Sequence, residues 1–311
     1  MDKLRSIEAF VRVVELGSFT RAADALHVPK ATVTKLVFEL EARLGVKLLH
    51  RTTRRLSLSD DGAAYLEGAQ RLLADLADLE GQVTRSVKNP RGRLRVDVPA
   101  AAGRHVLAPA LPAFFAKHPD IQIELGSSDR PVDLLAEGVD VVIRGGLTHD
   151  DSLVARPLGT FEVVTCASPS YLKRHGKPRT PQALQEQGHL AVNFFSAKTG
   201  RVFDFEFQRG DEARLAFALP HRVAANDADT AIAAAVAGLG LIQSPRTRHV
   251  QSLIDAKQLV PVLPDWSGGA LPLVVMYPRH RHLSARLRVF VDWVVAHYAA
   301  SFAALRRAAK G

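Results

Sequence analysis

The chain has 311 residues, 47% hydrophobic and 23% charged, with 41 basic residues against 32 acidic ones for a net charge of +9. That length and balance support two or three globular, soluble domains with sizeable cores. No run approaches the roughly 18 consecutive apolar residues of a membrane span. Arg5, Glu8, Arg12 and Glu15 interrupt the stretch where a signal peptide would be apolar, so a cytoplasmic protein with no membrane association is expected. The lone Cys166 excludes an intrachain disulfide and reads as a buried small hydrophobe, with a reactive thiol as the alternative.

Ile7, Phe10, Val11 and Val14 fall at i, i+3, i+4 and i+7, the stripe of an amphipathic helix that Gly17 stops. The next segment, SFTRAADALHV, offers Ser18 or Thr20 as the N-cap of a short helix whose Ala22, Ala23 and Ala25 permit close approach of a neighbour. VPKATVTKLV is rich in β-branched residues and has the propensity of a strand. Its period decides otherwise: Val33, Leu36, Val37, Leu40 and Leu44 repeat at helical spacing, Pro29 suits a first turn and Gly45 ends the run. Ala31, Thr34, Lys35 and Phe38 then point away from the core stripe, with Lys30 and Thr32 at its borders. A short helix, a tight turn and a second helix with a polar N-terminal half form a helix-turn-helix, whose second helix lies in the DNA major groove. Threonine there brings a hydroxyl for a base edge or phosphate and a methyl for thymine; a merely Thr-rich solvent face is the competing reading.

Arg43 to Arg55 holds five basic residues and no acidic one. Within it, Leu56 and Leu58 alternate after a turn-like Thr52-Thr53, so KLLHRTTRRLSLSDDG reads as a hairpin carrying Arg51, Arg54 and Arg55, a basic wing. Beyond Gly62, Tyr65, Leu72 and Leu79 share one heptad position and Ala69, Leu76 and Val83 another, a stripe suited to a helix pair or to packing on the chain's own core. About 27 residues at 1.5 Å each extend about 40 Å. Asn89-Pro90-Arg91-Gly92 reads as a hinge. Strand-like RLRVDV, IQIEL, VDVVIR, FEVVTCA and LPLVVMY then alternate with helical segments such as Leu107 to Lys117 and Thr230 to Ala237, the pattern of α/β with a largely parallel sheet.

In this order and spacing, IEAFVRVVELGSFTRAADALHV and LEARLGVKLLHRTTRRLSLSDDG followed by a long helix resemble the LysR-type transcriptional regulators. GRLRVDVPAAAGRHVLAPALPAFFAKHPDIQIEL, VDLLAEGVDVVIRGG, LVARPLGTFEVVTCASPSYLKRHG and AVAGLGLIQSP are similar to that family's effector-binding region, so the resemblance spans nearly the whole chain. It implies an N-terminal winged helix-turn-helix over 1–60, a dimerisation linker helix and hinge over 61–89, and a two-lobed, periplasmic-binding-protein-like α/β effector domain over 90–311. Lobe I would comprise 90–160 and 269–311, and lobe II 161–268. The implied partners are double-stranded promoter DNA, a second copy through the linker helix, a tetramer of such chains, and a small-molecule effector between the lobes; no cofactor or metal is implied.

Carried over by position, the DNA contacts fall on Thr20, Lys30, Thr32, Thr34 and Lys35, with Arg51, Thr52 and Arg54 in the wing. The chain departs from the family at Pro29-Lys30-Ala31, where many members have Ser-Gln-Pro, and at Thr34-Lys35, where many have Ser-Arg. Lysine lacks the bidentate fork that reads guanine, which favours a phosphate contact for Lys35. The cleft positions are Ala100, Ala101 and Ala102 in the loop after RLRVDV, facing Phe194, Phe195, Asn226 and Asp227. That alanine loop has no hydroxyl, so only backbone N–H groups and a helix dipole could hold an anion. An effector less dependent on carboxylate recognition, or none, follows. Asp227 reads equally as a helix cap.

Enzyme signatures are missing from the sequence. His280 and His282 are two apart, outside zinc spacing, and read as a solvated basic patch; Gly238-Leu239-Gly240 lacks the rest of a dinucleotide fingerprint; no nucleophile elbow or Walker loop occurs. A solute-binding or transport module is the runner-up, and the DNA-binding head counts against it.

Overall fold

The computed structural model describes residues 2–51, 56–83, 90–130, 132–134, 137–146, 150–279 and 283–308. The chain divides into two compact units, Met1–Lys88 and Asn89–Gly311.

The first unit contains α1 (Lys3–Leu16), α2 (Phe19–Leu26), α3 (Lys30–Leu44), the strands β1 (Leu49–Arg51) and β2 (Leu56–Leu58), and α4 (Asp60–Val83). Asp2 caps α1 by accepting the amides of Leu4 and Arg5, and Gly17 ends it in the left-handed region at φ 61°. Of the two candidate caps for α2, Ser18 does the work, accepting the Arg21 amide; Thr20 is the second residue of the helix. The β-branched stretch is helical, as its period requires, with α3 running from an extended Pro29 to Gly45 at φ 72°.

Its core stripe needs one correction. Val33, Val37 and Leu40 have no exposed surface, but Leu44 is 39% exposed and the inward position belongs to Glu41, only 3% exposed. The reason is local: buried amides must be paired. Glu41 Oε1 accepts the backbone N–H groups of Leu48 (2.9 Å) and Leu49 (3.1 Å) where the chain turns from α3 into β1. Its other oxygen accepts Lys47 Nζ at 3.3 Å. The wing is the expected hairpin, Leu49 pairing Leu58 and Arg51 pairing Leu56. At the start of α4 a Cβ on Gly62 would stand 2.0 Å from the Leu48 carbonyl oxygen, so only glycine lets this helix close on the wing's first strand.

The heptad stripe of α4 splits. Ala69 is buried, and Tyr65, Leu66 and Leu73 pack on the core of their own unit, beside Phe10 and Leu40. Leu72 is 46% exposed. The side chains of Leu79 and Val83, and Asn89 of the expected hinge, lie outside the description.

The second unit continues with β3 (Gly92–Val98), α5 (Ala100–Ala102), a π-helical turn (Gly103–Leu107) and α6 (Ala108–Phe115), then β4 (Ile121–Ser127), β5 (Val141–Gly145) and β6 (Leu153–Ala167). Next come α7 (Pro169–His175), α8 (Ala183–Glu186), β7 (Ala191–Phe194), β8 (Phe205–Phe207), β9 (Leu215–Phe217), β10 (His221–Ala225), α9 (Ala228–Val236), β11 (Ile242–Pro245), α10 (Arg248–Asp255) and β12 (Val260–Pro261). The long β13 (Ala270–Pro278) and α11 (Ala285–Ala308) close it.

One sheet runs β11-β6-β13-β5-β3-β4, with β12 also on β6. It is mixed rather than largely parallel: β3 pairs β4 and β5 in parallel, whereas β13 is antiparallel to both β5 and β6. The cause is the chain path. One hydrophobic core gathers Leu94, Val96, Phe114, Ile143, Val275, Phe290 and Val294. Two further clusters, around Cys166, Ile232 and Ile242 and around Tyr171, Phe207 and Leu241, form from residues between β6 and β13. The excursion leaves along β6 and returns along β13, so these strands run in opposite directions. We call the two sides lobe I and lobe II. Cys166 is 1% exposed and its thiol is pushed up to about 12 by burial, so it packs as a hydrophobe.

Glu41→Ala strands two buried amides and should destabilise the first unit by about 3 kcal/mol, with Glu41→Gln intermediate because its carbonyl oxygen still accepts. Urea unfolding followed by far-UV circular dichroism checks this. The two tryptophans, Trp266 and Trp293, lie in the second unit, so their fluorescence transition should stay put. An unchanged dichroism midpoint in Glu41→Ala would show that the carboxylate does not hold the wing.

Candidate nucleic-acid interface and inter-lobe site

On the solvent side of α3, Lys30, Ala31, Thr34, Lys35 and Phe38 line one shallow groove. Lys30, Ala31 and Lys35 are exposed, Thr32 and Thr34 half-buried. The Thr34 hydroxyl donates to the Lys30 carbonyl at 3.0 Å, which fixes its rotamer and leaves the methyl and the oxygen lone pairs for a partner. Lys35 approaches Glu39 one turn on at 3.9 Å, yet its side chain stays 76% exposed and free to reach outward. Pro29 brings no capping side chain to the start of α3, and its carbonyl accepts the Thr32 amide at 2.9 Å and the Val33 amide at 3.3 Å. Thr20 is exposed near the start of α2. Arg51 lies in β1 with its side chain outside the description, as are Thr52, Arg54 and Arg55 entirely.

Phe38, recognised in the sequence only as facing away from the core, is 57% exposed on this same face. Lys47 Nζ stands 5.4 Å over its ring. A large apolar side chain presented beside two lysines is the feature of this face that a list of polar contact residues misses.

In the second unit, the alanine segment after β3 is not a loop. Ala100 begins a helical run that continues through the π-helical turn into α6. The backbone amide expected to await an anion is engaged: Asp129 Oδ1 accepts the Ala100 N–H at 3.1 Å. Its other oxygen accepts the Ala228 N–H at the start of α9, 3.0 Å away. One internal carboxylate therefore joins the first amide of a lobe I helix to that of a lobe II helix, where helix dipoles favour negative charge. Asp227 caps α9 by accepting the Thr230 amide at 2.7 Å and the Thr230 hydroxyl at 2.6 Å. Asn226 is exposed just before it.

Phe194 ends β7 and stacks on Phe203, ring centroids 6.2 Å apart. Phe195 donates its amide to the Ala225 carbonyl. Both rings are half-buried. A cavity of about 900 Å3 opens beside Asp129, lined also by Asp133, Arg144, Asp150, Ser152 and Lys198. Ala100, Ala101, Ala102, Phe194, Phe195, Asn226 and Asp227 are not in its lining. Arg144 pairs with Asp97 and donates to the Arg130 carbonyl at 3.1 Å, so this one cation of the cavity wall already has internal partners.

A second contact joins the lobes. His105 Nε2 lies 3.1 and 3.2 Å from the two oxygens of Asp229 on α9, and its ring stacks at 4.1 Å on that of His249, from α10. Burial, followed by His105, lowers the His249 pKa, with Asp229 acting in the opposite direction. His280 and His282 lie outside the described residues. Among the described residues no helix is long and apolar enough to cross a membrane.

Comparison with known proteins adds the lineage. Residues 4–63 match the family model for the bacterial regulatory helix-turn-helix protein, lysR family, and residues 88–299 match that for the LysR substrate binding domain. An HTH-type transcriptional repressor of Pseudomonas aeruginosa is 43% identical over 96% of this chain and 93% of its own. The HTH-type transcriptional activator AaeR of Escherichia coli is 30% identical over 96% and 94%. Among solved structures, CrgA, a LysR-type transcriptional regulator from Neisseria meningitidis, is similar with a TM-score of 0.60 and 32% identity, over 94% of this chain and 98% of that one. A helix-turn-helix with an exposed basic face, a hairpin wing and a regulatory unit matched over residues 88–299 leave one conclusion: the chain belongs to the LysR-type transcriptional regulators, which bind promoter DNA and effectors and assemble as oligomers.

Proposed function

We propose that this regulator enters the major groove with the exposed face of α3, and the observation that carries the reading is the single groove shared by Lys30, Ala31, Thr34, Lys35 and Phe38. Lys30 and Lys35 meet phosphates, as their flexible ammonium groups suit point-charge contact. The Thr34 methyl and the Phe38 ring read thymine methyls, and Thr32 reaches the base edge or phosphate at the border. Thr20 at the second helix and Arg51, Thr52 and Arg54 of the wing extend the phosphate contacts along the duplex. The exposed Leu72 on α4 supports pairing of two copies through this helix, which would set two recognition helices about one DNA turn apart. Tetramers of such dimers and a cytoplasmic location complete the proposal.

For the regulatory unit, the effector is a small molecule whose recognition does not rest on a carboxylate. The Ala100 and Ala228 amides that such a group would need already hold Asp129. The cavity beside Asp129 offers charges of both signs, fitting a polar, neutral or cationic solute that shifts the balance between lobe arrangements. Ala100 to Ala102, Asn226 and Asp227 would border the site through backbone and cap, and Phe194 and Phe195 would pack behind it.

Fluorescence anisotropy on duplex DNA from the region upstream of the chain's own gene tests the DNA reading. Lys35→Ala should weaken binding, reduce the salt slope by about one and leave sequence preference intact. Phe38→Ala should instead flatten the preference at thymine positions with the slope unchanged. If both variants bind and discriminate as the wild type does, the face assignment is wrong. For the cleft, Asp129→Ala should lower the tryptophan-reported Tm by roughly 5 °C through loss of two charge-assisted hydrogen bonds. Acetate and benzoate should leave the wild-type Tm unchanged, and a stabilising shift with either would contradict the carboxylate-independent reading.

A further inference from the structure

We propose that His105, Asp229 and His249 form a binding site for a first-row divalent metal ion of the Co2+, Ni2+ or Zn2+ kind, placed across the junction of the two lobes. One nitrogen of each imidazole and a carboxylate oxygen lie within 4.8 Å of one another. In a tetrahedral site with metal–nitrogen distances near 2.0–2.1 Å, neighbouring donors stand about 3.4 Å apart. His105 Nε2 and Asp229, at 3.1 and 3.2 Å, already meet that spacing. His249 closes the remaining gap by side-chain rotation, its ring lying face to face with that of His105 at 4.1 Å and 6°.

The donor set chooses the metal. Two imidazole nitrogens and one carboxylate suit borderline divalent ions, whereas Mg2+ and Ca2+ demand oxygen ligands. All three residues are half-buried, so the site keeps water within reach for the open coordination positions. Its placement gives it a consequence. His105 belongs to the helical run that starts at Ala100, while Asp229 sits in the first turn of α9 and His249 in that of α10. A bound ion would thus clamp the same two helices whose first amides Asp129 joins. It is a second fastening, and its occupancy follows the supply of the ion rather than that of an organic effector. Binding of the ion is independent of how the cavity beside Asp129 reads its solute.

One group opposes the ion. Arg104 Nη1 lies 3.2 Å from Asp229 Oδ2. Its side chain is 70% exposed, so it can swing into solvent when a cation arrives, but its charge lowers the affinity until it does. This competition separates a metal site from a plain hydrogen-bonded cluster. In a cluster that only glues the lobes together, removing Arg104 takes away a favourable contact with Asp229; in a metal site it tightens binding.

The test uses the full-length protein freed of metal with a chelator, titrated with NiCl2 and ZnCl2 by calorimetry and thermal shift, and with CoCl2 by visible absorbance. The expected result is saturable binding with a rise in Tm, no response to Mg2+ or Ca2+, and a tetrahedral-type Co2+ spectrum. His249→Ala and His105→Ala should each lower affinity about tenfold or more, while Arg104→Ala raises it several-fold. His280→Ala/His282→Ala should bind as the wild type does, which separates this site from the other histidines. Circular dichroism in chelator, matching the wild type, shows that each variant is folded; His249→Ala carries the test should His105→Ala not fold. The proposal is overturned if neither Ni2+ nor Zn2+ shifts the wild-type Tm and Co2+ gives no saturable absorbance change, or if folded His249→Ala binds the ions as tightly as the wild type.

Discussion

The direction of the α3 face proposed to meet DNA depends on one buried carboxylate. Glu41 sits on the inner side of the recognition helix and accepts the backbone amides of Leu48 and Leu49, fixing where the chain turns into the wing. A hydrocarbon at that position would leave two buried donors unpaired, each at a cost of about 1–3 kcal/mol. The same turn presents the Leu48 carbonyl to Gly62 at the start of α4. Recognition helix, wing and long helix are therefore locked to one another within a few residues, and the outward face of α3 inherits its direction from that lock. The lysines and threonines on that face need make no contribution to stability.

The regulatory unit uses the same device at longer range. Asp140 accepts the Arg95 amide at 2.9 Å, and Asp129 spans the amides of Ala100 and Ala228. In the second case the acceptor bridges two helix starts that come from different lobes. A side chain thereby supplies the negative charge that the two helix starts favour. The three alanines that begin the lobe I helix make sense in this light: with the first amide already satisfied by a neighbour, the segment needs no hydroxyl of its own. The His105, Asp229 and His249 cluster lies beside the same junction, so the contacts that hold the lobes together and the chemistry available to modulate them are concentrated on the same pair of helices.

How much of this was legible in the sequence follows from the range of each interaction. The helix in VPKATVTKLV could be read because its 3.6-residue period outweighs its strand propensity, and the glycines at 17 and 45 mark the ends of their helices unaided. Hairpin alternation exposed the wing. Glu41 is invisible in the sequence, since a polar residue inside a periodic stripe carries no sign of the two amides it serves, and the period puts Leu44 in a buried position it does not hold. Asp129 lies 29 residues from Ala100 and 99 from Ala228, so no local pattern could place its carboxylate on their amides. The separation of 124 positions between His105 and Asp229 hides that pair in the same way. The antiparallel pairing of β6 and β13 depends on a chain excursion, which strand-by-strand reading resolves into the wrong, parallel order.

The central claim is that this chain reads DNA sequence through the face of α3 held by Glu41. DNase protection of the region upstream of its own gene, at moderate salt and with an excess of shuffled duplex, tests it most directly. The account predicts a protected window with two half-sites separated by about one helical turn or a multiple of it, surviving competition by the shuffled DNA. Uniform protection that the shuffled competitor abolishes would mean binding by charge alone, and would contradict it.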